Sequence, residues 1–227
     1  MTISHSTTET FWRKHDLFFF AYRSVRDGIR TSADNLMGFL AEVFPSPPAR
    51  ILSILGRSNV PKSLASLDSP RRAYTRLVLV GHSEGGLVIR KAVVLAEKQS
   101  NPVSRARVVL FAPAISGVSP AGLKGMLLKS GPGDWIVLPY LANSRAYRDM
   151  TSANYFNDVR DRTLEAREIH KAHSALWAKV VFGSEEDVVV PVVWPEDQED
   201  QVTGHDHVSI CKPTSKYDRP ITFVAEN

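Results

Sequence analysis

Short unbroken apolar runs alternate with amphipathic stretches along the chain. Leu17-Phe18-Phe19-Phe20-Ala21-Tyr22 is aromatic and continuous, which predicts a buried strand. Thr31-Ser32-Ala33-Asp34 offers N-cap chemistry, and Leu36, Met37, Phe39, Leu40 and Val43 follow at helical spacing until Pro45, Pro47 and Pro48 end the helix. Residues 45–70 are rich in Pro and Ser and read mostly as connection, with a helical turn at Ile51, Leu52, Ile54 and Leu55. Leu77-Val78-Leu79-Val80 is the clearest strand. A turn from Gly81 to Gly86, a helix from Leu87 to Lys98 and a strand from Arg107 to Phe111 follow it. Strand, helix and strand in such quick succession form a βαβ unit, hence a parallel sheet and an α/β fold.

Further along, residues 113–143 lack regular periodicity although they carry Leu123, Met126, Leu127, Leu128, Trp135, Ile136 and Leu138. Residues 144–173 are charged and mostly helical in pattern. Val180-Val181-Phe182 predicts another buried strand, followed by Gly183 and an acidic turn. Glu196 to Asp200 reads as an acidic loop, and a last apolar run begins at Ile221. No internal repeat interrupts this order.

Composition narrows the classes. With 43% hydrophobic and 23% charged residues, the 227-residue chain is neither disordered nor collagen-like, and its length suits one domain, 1–227, with a sizeable core. The single cysteine, Cys211, excludes an intramolecular disulfide and a multi-cysteine zinc site. Lys and Arg number 28 against 24 Asp and Glu, a net charge of +4, but they are scattered. A nucleic-acid footprint needs clustering, so no nucleic-acid partner is expected. Met1 to Asp16 is polar, and the longest apolar runs, Leu17 to Tyr22 and Val188 to Trp194, fall far short of the ~20 residues of a membrane helix. A cytoplasmic protein without an integral membrane segment is the expectation.

The strongest chemical signal is Gly81-His82-Ser83-Glu84-Gly85, a G-x-S-x-G match directly after a strand and directly before a helix. That setting is what a nucleophile elbow requires. A serine on such a strained turn projects its hydroxyl from the sheet edge, and flanking glycines permit the close backbone approach. The Glu84 backbone N–H, at the helix N-terminus, could then stabilise an oxyanion. The bland alternative is a glycine-rich turn without chemistry. A dinucleotide site is disfavoured, because Gly81, Gly85 and Gly86 do not fit G-x-G-x-x-G.

Through Val80-Gly81-His82-Ser83-Glu84-Gly85-Gly86-Leu87, Gly183 to Pro191, and His207-Val208-Ser209-Ile210-Cys211-Lys212-Pro213, the chain resembles the α/β-hydrolase superfamily, and within it the lipase-like serine esterases. The resemblance covers most of residues 17–215. It implies a mostly parallel sheet with helices on both faces and a triad in the order Ser, acid, His. It places the acid at Asp187, with Glu186 and Glu185 as rivals, and the histidine at His207, with His205 as runner-up. His82 falls in a slot that the family uses for packing. His170 and His173 have a spacing that could bind metal, but no third ligand accompanies them, so a solvated face is expected there.

Ser83 would attack an acyl carbonyl, His207 would relay the proton, and Asp187 would hold the imidazole, with no cofactor required. Cys211 reads as core. Residues 113–143 fall where the fold inserts a cap, within a cap-like insertion at about 113–175. Their apolar content could line an acyl pocket, with Lys124 and Lys129 toward acidic head groups, or could simply cover the sheet. The expected substrate is a small-molecule or lipid-like ester of a carboxylic acid.

One part of the family pattern is missing. The second oxyanion donor comes from a His-Gly loop, and no such pair precedes Ser83. In one register 17–22 is the fourth strand and the first three are absent. In the other 17–22 is the third strand, Ile51 to Leu55 the fourth, and Tyr22 or Arg23 donates the second N–H. The helical spacing at 51–55 favours the first register. The chain then reads as a trimmed domain with an exposed sheet edge and a tendency to self-associate. Two alternatives to an esterase follow: a catalytically weak binding module on the same fold, and an acyltransferase using the same serine.

Overall fold

Three apolar runs and one polar run assemble into a single sheet in the computed structural model, which describes residues 15–23, 27–46, 73–114, 177–191, 193–195 and 197–226. The strands are β1 (Val78–His82), β2 (Arg107–Phe111), β3 (Ala178–Gly183) and β4 (Gln198–Val202). They lie side by side in sequence order and every pair is parallel. All four carboxyl ends therefore share one edge of the sheet, the edge where α/β folds build their sites. This is the expected α/β class.

Helices cover both faces. α1 (Ile29–Val43) packs along α2 (Glu84–Lys98), which leaves β1 at the elbow and returns the chain to β2. α2 is buried at every position from Gly86 to Val94, because the sheet lies on one side of it and α1 on another. Neighbouring strand residues point to opposite faces. A Cβ on Gly81 would lie 2.8 Å from Ile89 Cδ1 and 3.0 Å from the Gly85 backbone, so the Gly81 face of β1 carries α2 and a side chain there would press on the elbow. The opposite face carries α3 (Arg219–Ala225), whose Phe223 meets Phe111 at a ring distance of 6.3 Å. The core is mainly Val, Leu, Ile and Ala from β1, β2, β3, α1 and α2.

A buried ion pair locks the far edge. The Arg90 guanidinium of α2 pairs with the Asp197 carboxylate just before β4, and both side chains are sealed from solvent. Arg90 also lies 4.0 Å above the Trp194 ring, and Asp197 Oδ1 accepts the Ala178 N–H at the start of β3 at 2.9 Å.

Several expectations are corrected. Leu17 to Tyr22 is not a buried strand. Phe18 and Phe20 turn toward Phe39 of α1, at ring distances of 6.2 and 5.9 Å, while Leu17 and Phe19 are exposed. The run is apolar because alternate rings pack on a helix, and β1 lies at the edge of the sheet formed by the described residues. α1 begins at Ile29 with Gly28 as its cap, so Thr31 and Ser32 lie inside it. The acidic stretch after Glu196 is not a loop but the strand β4, at the edge of the sheet formed by the described residues, which pairs with β3 from Lys179↔Gln198 to Gly183↔Val202. Polar side chains suit an edge strand. The helical turn at 51–55 and the helical stretch 144–173 lie outside the described residues, as does the cap-like insertion beyond Ala114. Among the described residues no helix is long and apolar enough to cross a membrane.

Candidate active site

Three loops meet at the carboxyl edge, each leaving a parallel strand. After β1, Ser83 takes φ 52° and ψ −122°, a conformation that costs a non-glycine residue of the order of 1–3 kcal/mol. The surroundings hold it there. Ser83 N–H donates to the Phe111 carbonyl at 3.1 Å, and the Ser83 carbonyl accepts from Gly86 and Ala114 N–H at 3.0 and 3.1 Å. Gly86 is needed because a Cβ there would come within 2.7 Å of Pro113 Cβ. The elbow is thus stapled to the end of β2. Glu84 begins α2, so its N–H belongs to the first turn, where amide hydrogens have no partner within the helix.

After β3, Ser184 and Glu185 form a turn in which Glu186 N–H returns to the Gly183 carbonyl at 3.2 Å. This turn aims the Glu186 side chain inward and leaves Asp187 exposed. Glu186 Oε1 accepts the N–H groups of Val188 and Val189 at 2.9 and 3.0 Å.

After β4 the chain crosses directly over Gly183. A Cβ on Gly183 would sit 1.9 Å from the His205 carbonyl oxygen, so only glycine allows the crossing. Glu185 N–H donates to that carbonyl at 3.0 Å, and Gly204 N–H donates to Ser184 Oγ at 2.9 Å. Asp206 then caps the 3-10 turn Ser209–Cys211: its carboxylate accepts Ser209 N–H at 2.9 Å while Ser209 Oγ accepts Asp206 N–H at 3.0 Å.

This stitching brings His207, which is buried, onto Glu186. His207 Nδ1 lies 3.0 Å from both carboxylate oxygens. A carboxylate only accepts, so Nδ1 carries the hydrogen, and in the neutral imidazole Nε2 keeps the lone pair. Burial raises the Glu186 pKa, but the hydrogen bonds from His207 and from the Val189 and Val188 amides outweigh it and hold the carboxyl below its ordinary value. The carboxylate on the histidine is therefore that of Glu186, not of Asp187. The two differ by one residue, and the turn after Gly183 decides which faces in.

Glu185 is exposed. His205 stacks on Tyr217 at 3.8 Å, and its Nδ1 lies 3.3 Å from Ser209 Oγ. Cys211 donates to the Val208 carbonyl at 3.5 Å, and burial raises its thiol pKa, in keeping with a packing role. Among the described residues no hydrogen bond joins Ser83 to His207. The contact between their loops runs through His82, whose Nε2 lies 2.7 Å from the His207 carbonyl and whose ring centroid is 4.7 Å from that of His207. Nothing in the one-dimensional pattern signals that contact, because the two residues are 125 positions apart.

The Tyr22 hydroxyl approaches the elbow as well, 3.8 Å from where a Gly85 Cβ would stand. Burial, with help from the Glu84 carboxylate, raises its pKa and keeps it neutral. Beside His82, a recess of about 250 Å³ opens between β1 and α3, lined by Val80, Phe111, Cys211, Ile221 and Val224 among others.

No family model matches the chain, and neither does any curated protein. Among solved structures it is similar to the mature form of the Bacillus licheniformis lipase BlEst2. The identity is 13%, the match covers 86% of this chain and 73% of that one, and the TM-score is 0.47. A likeness of that extent assigns no chemistry, which rests instead on the loops that leave β1, β3 and β4.

Proposed function

We propose that the chain is a serine hydrolase that cleaves esters of carboxylic acids, lipid-like esters included, through an acyl-enzyme on Ser83. The observation that carries this reading is the buried Glu186–His207 pair, held at the same sheet edge as a serine in a strained elbow. A histidine with Nδ1–H on a carboxylate has its Nε2 lone pair available as a base.

In the proposed reaction His207 Nε2 takes the Ser83 proton as Oγ bonds to the acyl carbon. The charge developing on the carbonyl oxygen meets the Glu84 N–H at the start of α2. As the ester C–O bond breaks, the leaving alkoxide takes the proton from His207. A water molecule repeats the sequence, giving its proton to His207 and its oxygen to the acyl carbon, and Ser83 regains its hydrogen. Glu186 holds the imidazole tautomer and offsets the imidazolium charge throughout. The role that the resemblance gives to Asp187 falls to Glu186 in this reading. Neither step calls on a cofactor.

The test is a fluorophosphonate probe with mass-spectrometric mapping, alongside hydrolysis of a p-nitrophenyl ester. The label is expected on Ser83, and Ser83→Ala should lose both label and turnover. Labelling elsewhere, or full turnover by Ser83→Ala, would overturn the proposal.

A further inference from the structure

His82 takes no part in the steps above, yet through it the elbow touches the histidine loop. The acid-side bonds, Glu185 N–H to the His205 carbonyl, Gly204 N–H to Ser184 Oγ and His207 to Glu186, all fasten that loop to the turn after β3. The nucleophile, however, leaves β1, with β2 in between. Fixing His207 against β3 alone leaves its distance from Ser83 unset. His82 closes that gap. Its Nε2 lies 2.7 Å from the His207 carbonyl, and because a carbonyl only accepts, Nε2 carries the hydrogen and donates.

We propose that His82 is a positioning residue for His207: its Nε2–H, backed by ring contact, ties the histidine loop to the residue before the nucleophile. The proposal rests on the reading of Ser83 and His207 given above. The groups facing His82 bear on its charge. They are the His207 imidazole, the Glu186 carboxylate and the Lys212 ammonium, with Phe111 beside it in register and Cys211 across the recess. Burial first, and then the neighbouring His207, lower the His82 pKa to about 4, while its bond to the His207 carbonyl and the Glu186 charge pull the other way. His82 thus stays neutral where an esterase works. A proton on its Nδ1 would set a positive charge beside the ring that must itself become positive during acylation.

The experiment compares the full chain with His82→Gln and His82→Phe. Gln keeps an amide N–H near the place of Nε2 and cannot take a charge; Phe keeps the ring without the donor. With a p-nitrophenyl ester, kcat of His82→Phe should fall about 10–10²-fold with KM little changed, the scale expected when a catalytic group is displaced. His82→Gln should recover most of that loss. Long-range ¹H–¹⁵N spectra of the wild-type imidazoles should show His82 as the neutral Nε2–H tautomer at pH 5 and above. Wild-type kinetics in a folded His82→Phe, a His82→Gln as slow as His82→Phe, or an Nδ1–H tautomer at His82 would overturn the proposal. If His82→Phe does not fold, the tautomer decides. A wild-type protein that is neither labelled nor active but holds the Nε2–H tautomer would overturn the hydrolase reading and leave the tether standing.

Discussion

His207 Nδ1 sits 3.0 Å from each carboxylate oxygen of Glu186, and the same carboxylate takes two backbone amides, from Val188 and Val189. So many donors on one buried group fix both the imidazole plane and its tautomer. Glu186→Gln keeps the shape but can present its own N–H to Nδ1 and favour the wrong tautomer. We expect kcat to drop by about 10⁴-fold. Asp187→Asn, whose exposed carboxylate is not the one on His207, should cost far less activity than Glu186→Gln. Steady-state kinetics of the two variants decide between the carboxylates.

His205→Ala and His207→Ala should separate sharply. His205 loses its stack on Tyr217, which is worth about 1 kcal/mol of stability, and little activity. His207→Ala removes the base and should approach the ~10⁶-fold loss typical of a triad member. Melting curves and kcat/KM of both proteins check the pair of outcomes.

Ser83 occupies backbone space suited to glycine. Ser83→Gly should therefore melt higher than Ser83→Ala, by an equivalent of about 1–2 kcal/mol, with both variants inactive. Equal stabilities would mean that the elbow stores no strain.

Gly183→Ala should disrupt the site from a distance. Its Cβ would overlap the His205 carbonyl, so β3 or the histidine loop must move. We expect a loss of about 3 kcal/mol in stability and a large fall in kcat. Urea denaturation gives the first and ester hydrolysis the second.

Acid should weaken the fold through His82 before it reaches most carboxylates. The folded pKa, about 4, lies below the ordinary 6.5, so between those values the unfolded chain binds the proton and the folded chain does not. Stability is full above pH 6.5 and declines as pH falls toward 4, by about 3 kcal/mol in all. Glu186, whose folded pKa is also lowered, adds a further loss as pH falls through that value. Unfolding free energies from pH 4 to 7 for wild type and His82→Gln should diverge over that window, with the variant losing less stability as pH falls.

The unit from β1 through the elbow to β2 was legible because three signals agree there: an apolar run, a glycine-flanked serine and an amphipathic helix. β4 was not legible. Gln198 to Val202 has little strand character of its own, and it is a strand because β3 offers a ladder and Asp197 pins its start. Leu17 to Tyr22 misleads for the converse reason, since its aromatic rings are used against Phe39 rather than within the sheet. The pattern Gly-Ser-Glu-Glu-Asp brings three acids to the right loop, but which one turns inward depends on the turn after Gly183, and periodicity carries no such information. His82 read as packing because its partner lies in a distant loop.

The Arg90–Asp197 pair constrains how the chain can vary. Neither charge reaches solvent, and Asp197 also holds the Ala178 amide. Replacing Arg90 alone would strand an anion in the interior, a penalty of about 3–5 kcal/mol, whereas replacing both residues removes the stranded charge and leaves the Ala178 amide to be satisfied by a new acceptor. The two positions are thus mutationally interlocked: drift at one is viable only in company with the other, and an engineer who wishes to remodel the helix behind the elbow must redesign the approach to β4 in the same move.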